Sequence, residues 1–126
     1  MRTRYQHLFK RIQEGDPEER DAAYDAVLFD RGEAIPDLQE CYAQSRDAVL
    51  MRFYSVQLLG FSGDKAAIPA VTAALDDPSP SVRAEACRGL EDLRAKGSIP
   101  ALRARLNDLE PEVRQAAREA IDALKG

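Results

Sequence analysis

The side chains best suited to chemistry in this sequence are arginines and aspartates that recur together. Arg52, Arg83 and Arg114 each follow a nearby acid: Asp47, Asp77 and Asp108 respectively. Paired guanidinium and carboxylate groups in one cleft can hold an anion or shift a catalytic pKa. These arginines are spaced 31 residues apart, so they track a repeat and not a single cleft. His7 is the only histidine. It stands beside Gln6 with no Cys, Asp or Glu at a ligand-like helical spacing, whereas metal sites need three or four converging donors and a catalytic base needs a partner. Cys41 and Cys87 lack CxxC or Cys/His spacing, and there is no second histidine to activate either thiol. They read as small buried apolar residues of a reducing compartment. Ser62, in Gly60-Phe61-Ser62-Gly63, does not complete the Gly-x-Ser-x-Gly elbow. No Walker loop or dinucleotide fingerprint is present. Neither a catalytic residue, nor a metal, nor a cofactor is expected.

Composition narrows the setting. The 126 residues suit a single domain, 1–126, and are 44% hydrophobic and 32% charged, with no Trp. The formal charge is −4 and neither half is basic, which argues against a phosphate-backbone partner. The N-terminus, Met1 to Lys10, carries charges with no apolar run behind them, and no window could span a bilayer. No membrane association and a cytoplasmic location are expected.

What must position these side chains is a helical repeat. Ile35-Pro36, Ile68-Pro69 and Ile99-Pro100 align at spacings of 33 and 31. At the 31-residue offset Asp77, Pro80, Val82, Arg83, Ala86, Leu90 and Leu93 fall on Asp108, Pro111, Val113, Arg114, Ala117, Ile121 and Leu124. Asp16-Pro17, Ser79-Pro80 and Glu110-Pro111 each read as an oxygen-bearing cap followed by Pro at the first helical position. Gly32, Gly63 and Gly97 mark turns between units. The pattern predicts helices at 2–14, 17–30, 33–44, 47–61, 64–76, 80–94, 97–107 and 111–124, paired into repeats 2–31, 32–62, 63–95 and 96–126. The expected fold is all-α: a right-handed α-solenoid of four hairpins. The last helix puts Val113, Ala117, Ala120, Ile121 and Leu124 on one arc and charge on the rest. The first helix puts Tyr5, Leu8, Phe9 and Ile12 on one side, so both ends read as caps of a whole solenoid.

Asp77-Pro-Ser-Pro-Ser-Val-Arg83 with Ala86 and Leu90, its echo from Asp108 to Arg114, and the junction Leu59-Gly60 to Ile68-Pro69 resemble the bacterial HEAT-like repeats first grouped with phycobilin lyase subunits. The likeness covers about 30–126 well and 1–30 loosely. The resemblance implies that Asp47, Asp77, Asp108, Arg52, Arg83 and Arg114 form a structural ladder tying hairpin to hairpin. It implies little about activity, since such repeats occur in scaffolds, accessory subunits and a few nucleic-acid enzymes.

One feature departs from the repeat. All eight aromatics lie within residues 1–61, and the fourth helix is apolar nearly all round. Phe53 stands where Ala84 and Gln115 stand in later units, Tyr54 where Glu85 and Ala116 stand, and Leu50 where Ser81 and Glu112 stand. Phe53 is also roughly opposite the stripe of Met51, Ser55 and Leu59 on a helical wheel. Two explanations compete. The aromatics fill space between central helices, or Leu50, Phe53, Tyr54 and Gln57 anchor a partner, flanked by polar Glu85, Arg88, Gln115 and Glu119. The leading expectation is a monomeric or weakly self-associating scaffold that holds a protein partner on its concave face. An accessory subunit of an enzyme, by resemblance to bilin lyases, and a DNA-binding protein, by resemblance to HEAT-like glycosylases, are the alternatives.

Overall fold

The computed structural model describes residues 1–126 as eight α-helices and five short 3-10 turns. The α-helices are α1 (Thr3–Glu14), α2 (Pro17–Asp30), α3 (Ile35–Gln44), α4 (Val49–Phe61), α5 (Ile68–Ala73), α6 (Pro80–Asp92), α7 (Ile99–Ala104) and α8 (Pro111–Lys125). They form four stacked hairpins, an α-solenoid. Proline opens most of them: α2, α6 and α8 begin on one, and the Ile-Pro pairs place one in the first turn of α3, α5 and α7. Proline at that position sacrifices only an N–H that would have no intrahelical partner. α5 and α7 are shorter than the periodicity predicts, because 3-10 turns at Lys65–Ala67, Ala74–Asp76, Lys96–Ser98 and Arg105–Asn107 replace their first and last turns.

Two turn readings need correction. Asp16 caps α2 in a full capping box with Glu19, but Ser79 and Glu110 make no side-chain cap. Instead Asp77 and Asp108 accept hydrogen bonds from the amides of Ser79 and Glu110, at 2.9 and 3.0 Å, and so shape the turn from two residues upstream. Of the turn glycines only Gly63 has a left-handed φ, +68°; at the other two junctions Arg31 and Arg94 take that conformation in place of Gly32 and Gly97.

Thirty-one buried apolar residues make one continuous core. Equivalent positions on the second helices form its seam: Ala23, Ala86 and Ala117 in one row, Val27, Leu59, Leu90 and Ile121 in the next. α4 packs along α6 and α6 along α8, whereas α2 meets α4 over a much smaller stretch. Residue size explains the difference. Between α4 and α6, and between α6 and α8, the wedge positions hold Val56 and Cys87, both fully buried. The matching residue of α2 is Tyr24, whose ring stands against Tyr54 at 5.7 Å between centroids. Small residues let helix backbones approach, and a phenol ring holds them apart. α4 and α6 come so close that a Cβ on Gly60 would lie 2.8 Å from the Gly89 Cα.

Candidate binding face

The arginine ladder forms as a structural device. Arg52 reaches Asp77 of the next hairpin through Nε and Nη2, at 3.0 and 3.3 Å, while its Nη1 donates to the carbonyls of Ser45 and Arg46 in its own turn. Arg83 repeats the arrangement one unit on, with Asp108 at 2.9 and 3.0 Å and the carbonyls of Asp77 and Pro78. Each guanidinium therefore fastens its own hairpin turn and the next hairpin at once. Burial alone would raise the Asp77 carboxyl, but hydrogen bonds from Arg52, the Tyr42 hydroxyl and the Ser79 amide outweigh it and hold the group below its ordinary value. Asp108 is lowered likewise, by Arg83 and the Glu110 amide against burial.

Asp47 takes no part: it is exposed and makes no ion pair. The ladder acid stands six residues before its arginine, and in the second repeat that position is Arg46. Arg20, the first-repeat counterpart of Arg52, consequently has no carboxylate to meet and donates to the carbonyls of Gly15 and Gln13. That junction is fastened differently. Arg2, just before α1, binds buried Asp37 of α3 through its amide, Nε and Nη2, while Asp30 accepts from Tyr5 and pairs with Arg4 inside the first hairpin, tying α2 to α1. The signal was present in sequence, since Asp37 follows an Ile-Pro pair where the later repeats have Ala70 and Ala101. Arg114 ends the ladder with a 2.7 Å bond to the Asp108 carbonyl and no carboxylate. Arg114→Ala is expected to cost about 1 kcal/mol, one hydrogen bond's worth, in urea unfolding.

The second helices carry the other candidate residues. Leu50 is 51% exposed. Phe53 and Tyr54 are half-buried, packed on the core edge, with their rings 6.0 Å apart in a T-shaped pair. Each competing explanation thus holds for part of their surface. The Tyr24 hydroxyl donates to Gln57 at 2.5 Å. Ile12, Arg20, Asp21, Tyr24, Tyr54 and Gln57 line a cleft of about 260 Å³ at the loose α2–α4 junction. Gln115 and Glu119 are exposed and bonded to each other. Glu85 departs from the expected polar rim. It is only 6% exposed, with half-exposed Arg88 at 3.3 Å. Burial pushes its carboxyl up, against the opposing pull of Arg88 and Gln57. Tyr24 is pushed up to about 12, by burial first and then by the charge of Glu85. Polar groups from three hairpins therefore gather here, Tyr24 bonded to Gln57 and Glu85 paired with Arg88.

The remaining reactive side chains do not converge. His7, Lys10, Arg11 and Glu14 line a shallow polar depression. Both cysteines are buried, and burial pushes the Cys87 thiol up to about 12, far from a reactive thiolate. Ser62 is buried and donates to the Leu59 carbonyl. No three or more His, Cys, Asp or Glu side chains are grouped to hold a metal ion. No helix is long and apolar enough to cross a membrane.

Residues 42–122 match the family model for HEAT repeats. Among solved structures the chain is similar to human deoxyhypusine hydroxylase in complex with glycerol, with 28% identity and a TM-score of 0.75. That similarity covers 96% of this chain and 43% of the hydroxylase chain. No curated protein matches the sequence.

Proposed function

The chain belongs to the HEAT-repeat family, and on that premise we propose that it is a small non-catalytic scaffold holding a protein partner on the concave face of its second helices. The finer kinship, on the strength of Asp77-to-Arg83 and its echo, is with the short bacterial HEAT-like repeats. One observation carries the proposal: α4 presents Leu50, Phe53 and Tyr54 at positions where the later repeats have small or polar residues, and Leu50 is half exposed. Apolar side chains left partly in water on a repeat protein's binding surface mark an interface. The chemistry agrees, since the conspicuous charge pairs are spent on fastening hairpins.

The Phe53→Ala, Tyr54→Ala double variant separates core from interface. Because both rings are half-buried, it should cost about 2 kcal/mol in chemical denaturation, less than the 3–5 kcal/mol of one fully buried ring. In pull-downs from the source cell the native chain should retain one stoichiometric protein and the folded variant should lose it. Retention of that protein by the variant would sink the proposal.

The likeness to a hydroxylase supports a second reading, an accessory component of an enzyme. It predicts that the retained protein is an enzyme whose turnover changes when this chain is added.

A further inference from the structure

We propose that the occupant of the concave face is a basic segment of the partner, with lysines or arginines on either side of an apolar anchor. The inference rests on the concave-docking reading and adds its chemistry. Counting helical register from the buried rows places Gln57, Arg88 and Glu119 in one outward row, with Asp25 as their counterpart on α2. The adjoining rows hold Phe53 with Asp21 and Gln115, and Leu50 with Glu18 and Glu112. In these three rows the large apolar residues are confined to α4, and acids stand on both sides of it: Glu18, Asp21 and Asp25 on α2, Glu112 and Glu119 on α8, all exposed. Between them on α6 lies buried Glu85. Arg88 is the one cation in these rows, since Arg20 at the cleft edge is turned to its own backbone carbonyls.

Charge complementarity follows from that layout. An acidic segment would meet like charge on both flanks of α4, and a neutral one would leave the acids uncompensated while covering them. A basic segment neutralises them, and its apolar anchor covers Leu50 and Phe53. Cationic side chains also gain from the Tyr24 and Tyr54 rings, which line the cleft between α2 and α4. Glu85 then acquires a second cation beside Arg88, which reaches it at only 3.3 Å.

The test uses the full chain and two labelled synthetic peptides of about 15 residues, which in extended form reach roughly 50 Å, enough to cross four second helices set about 8–10 Å apart. One carries lysines flanking a Leu-Phe centre; its twin carries glutamates in their place. Anisotropy should show binding of the basic peptide and none of the twin, and the affinity should fall as salt screens the charges. Asp25→Asn with Glu119→Gln should weaken binding about fivefold, two exposed charge pairs' worth. Glu33→Gln with Asp76→Asn, an equal loss of charge away from these rows, should leave it unchanged. An equal loss from both double variants would overturn the proposal by reducing the effect to overall attraction. Failure of the basic peptide to bind would overturn it as well. If both peptides bind and Phe53→Ala abolishes both, the basic chemistry falls and concave docking stands. If Phe53→Ala leaves the basic peptide's affinity untouched, docking on α4 falls too.

Discussion

Asp77→Ala is expected to remove about 3–5 kcal/mol of stability, the range for losing one partner of a buried ion pair. The effect is large because one carboxylate serves several donors. Arg52 contributes Nε and Nη2, Tyr42 its hydroxyl at 2.5 Å, and Ser79 its amide. The Arg52 side chain is itself only 8% exposed, so water cannot take the carboxylate's place. An unpaired guanidinium would remain between two hairpins. Asp77→Asn keeps an acceptor oxygen and removes the charge, so its cost should be intermediate. The pH dependence follows from the lowered carboxyl value. A group lowered by folding stabilises above its unfolded pKa, about 3.9, and that contribution fades as pH falls toward the folded value. The gap between native and Asp77→Asn proteins should therefore be full at neutral pH and shrink below about pH 4. Urea unfolding at the two pH values reads both effects. A neutral-pH loss under about 1 kcal/mol would mean that the ladder does not hold the hairpins together.

Gly60→Val should cost about 3 kcal/mol, the upper end for overpacking. Helix propensity alone points the other way, since replacing a helical glycine with alanine gains about 1 kcal/mol. The structure reverses that sign because the new Cβ would stand 2.8 Å from the Gly89 Cα. The obstacle is backbone, so no rotamer change relieves it, and α4 and α6 must separate along the seam that includes Leu59 and Leu90. Gly60→Ala should show the same sign with a smaller loss. Gly97 is the internal control: a Cβ there meets nothing within 4 Å, so Gly97→Ala should be close to neutral. Stabilisation by Gly60→Ala would show that the two helices are not packed as closely as described.

How much of this was legible beforehand depended on whether the signal was local and repeated. The Ile-Pro pairs, the Pro-opened second helices and the small-aliphatic rows announce helix after helix, because each enforces the same backbone requirement in every unit. That Arg52, Arg83, Asp77 and Asp108 belong to one ladder was legible through the resemblance, which follows the same repetition. Asp47 is near Arg52 in sequence but out of register with the ladder acids: one residue of displacement moves a side chain some 100° around a helix or out of a turn altogether. Arg2 with Asp37 was missed because it joins chain segments 35 residues apart and occurs once.

The sequence by itself determined an all-helical repeat, its apolar seam and the concentration of aromatics in its first half, since periodicity and residue size act locally. Only the tertiary structure decided that Tyr24 props open the first junction, that Glu85 is buried while Leu50 is exposed, and which carboxylate each arginine meets. Those outcomes depend on the distance between helices from different repeats. That distance is set by the bulk of all the side chains in the seam together, which no single stretch of sequence specifies.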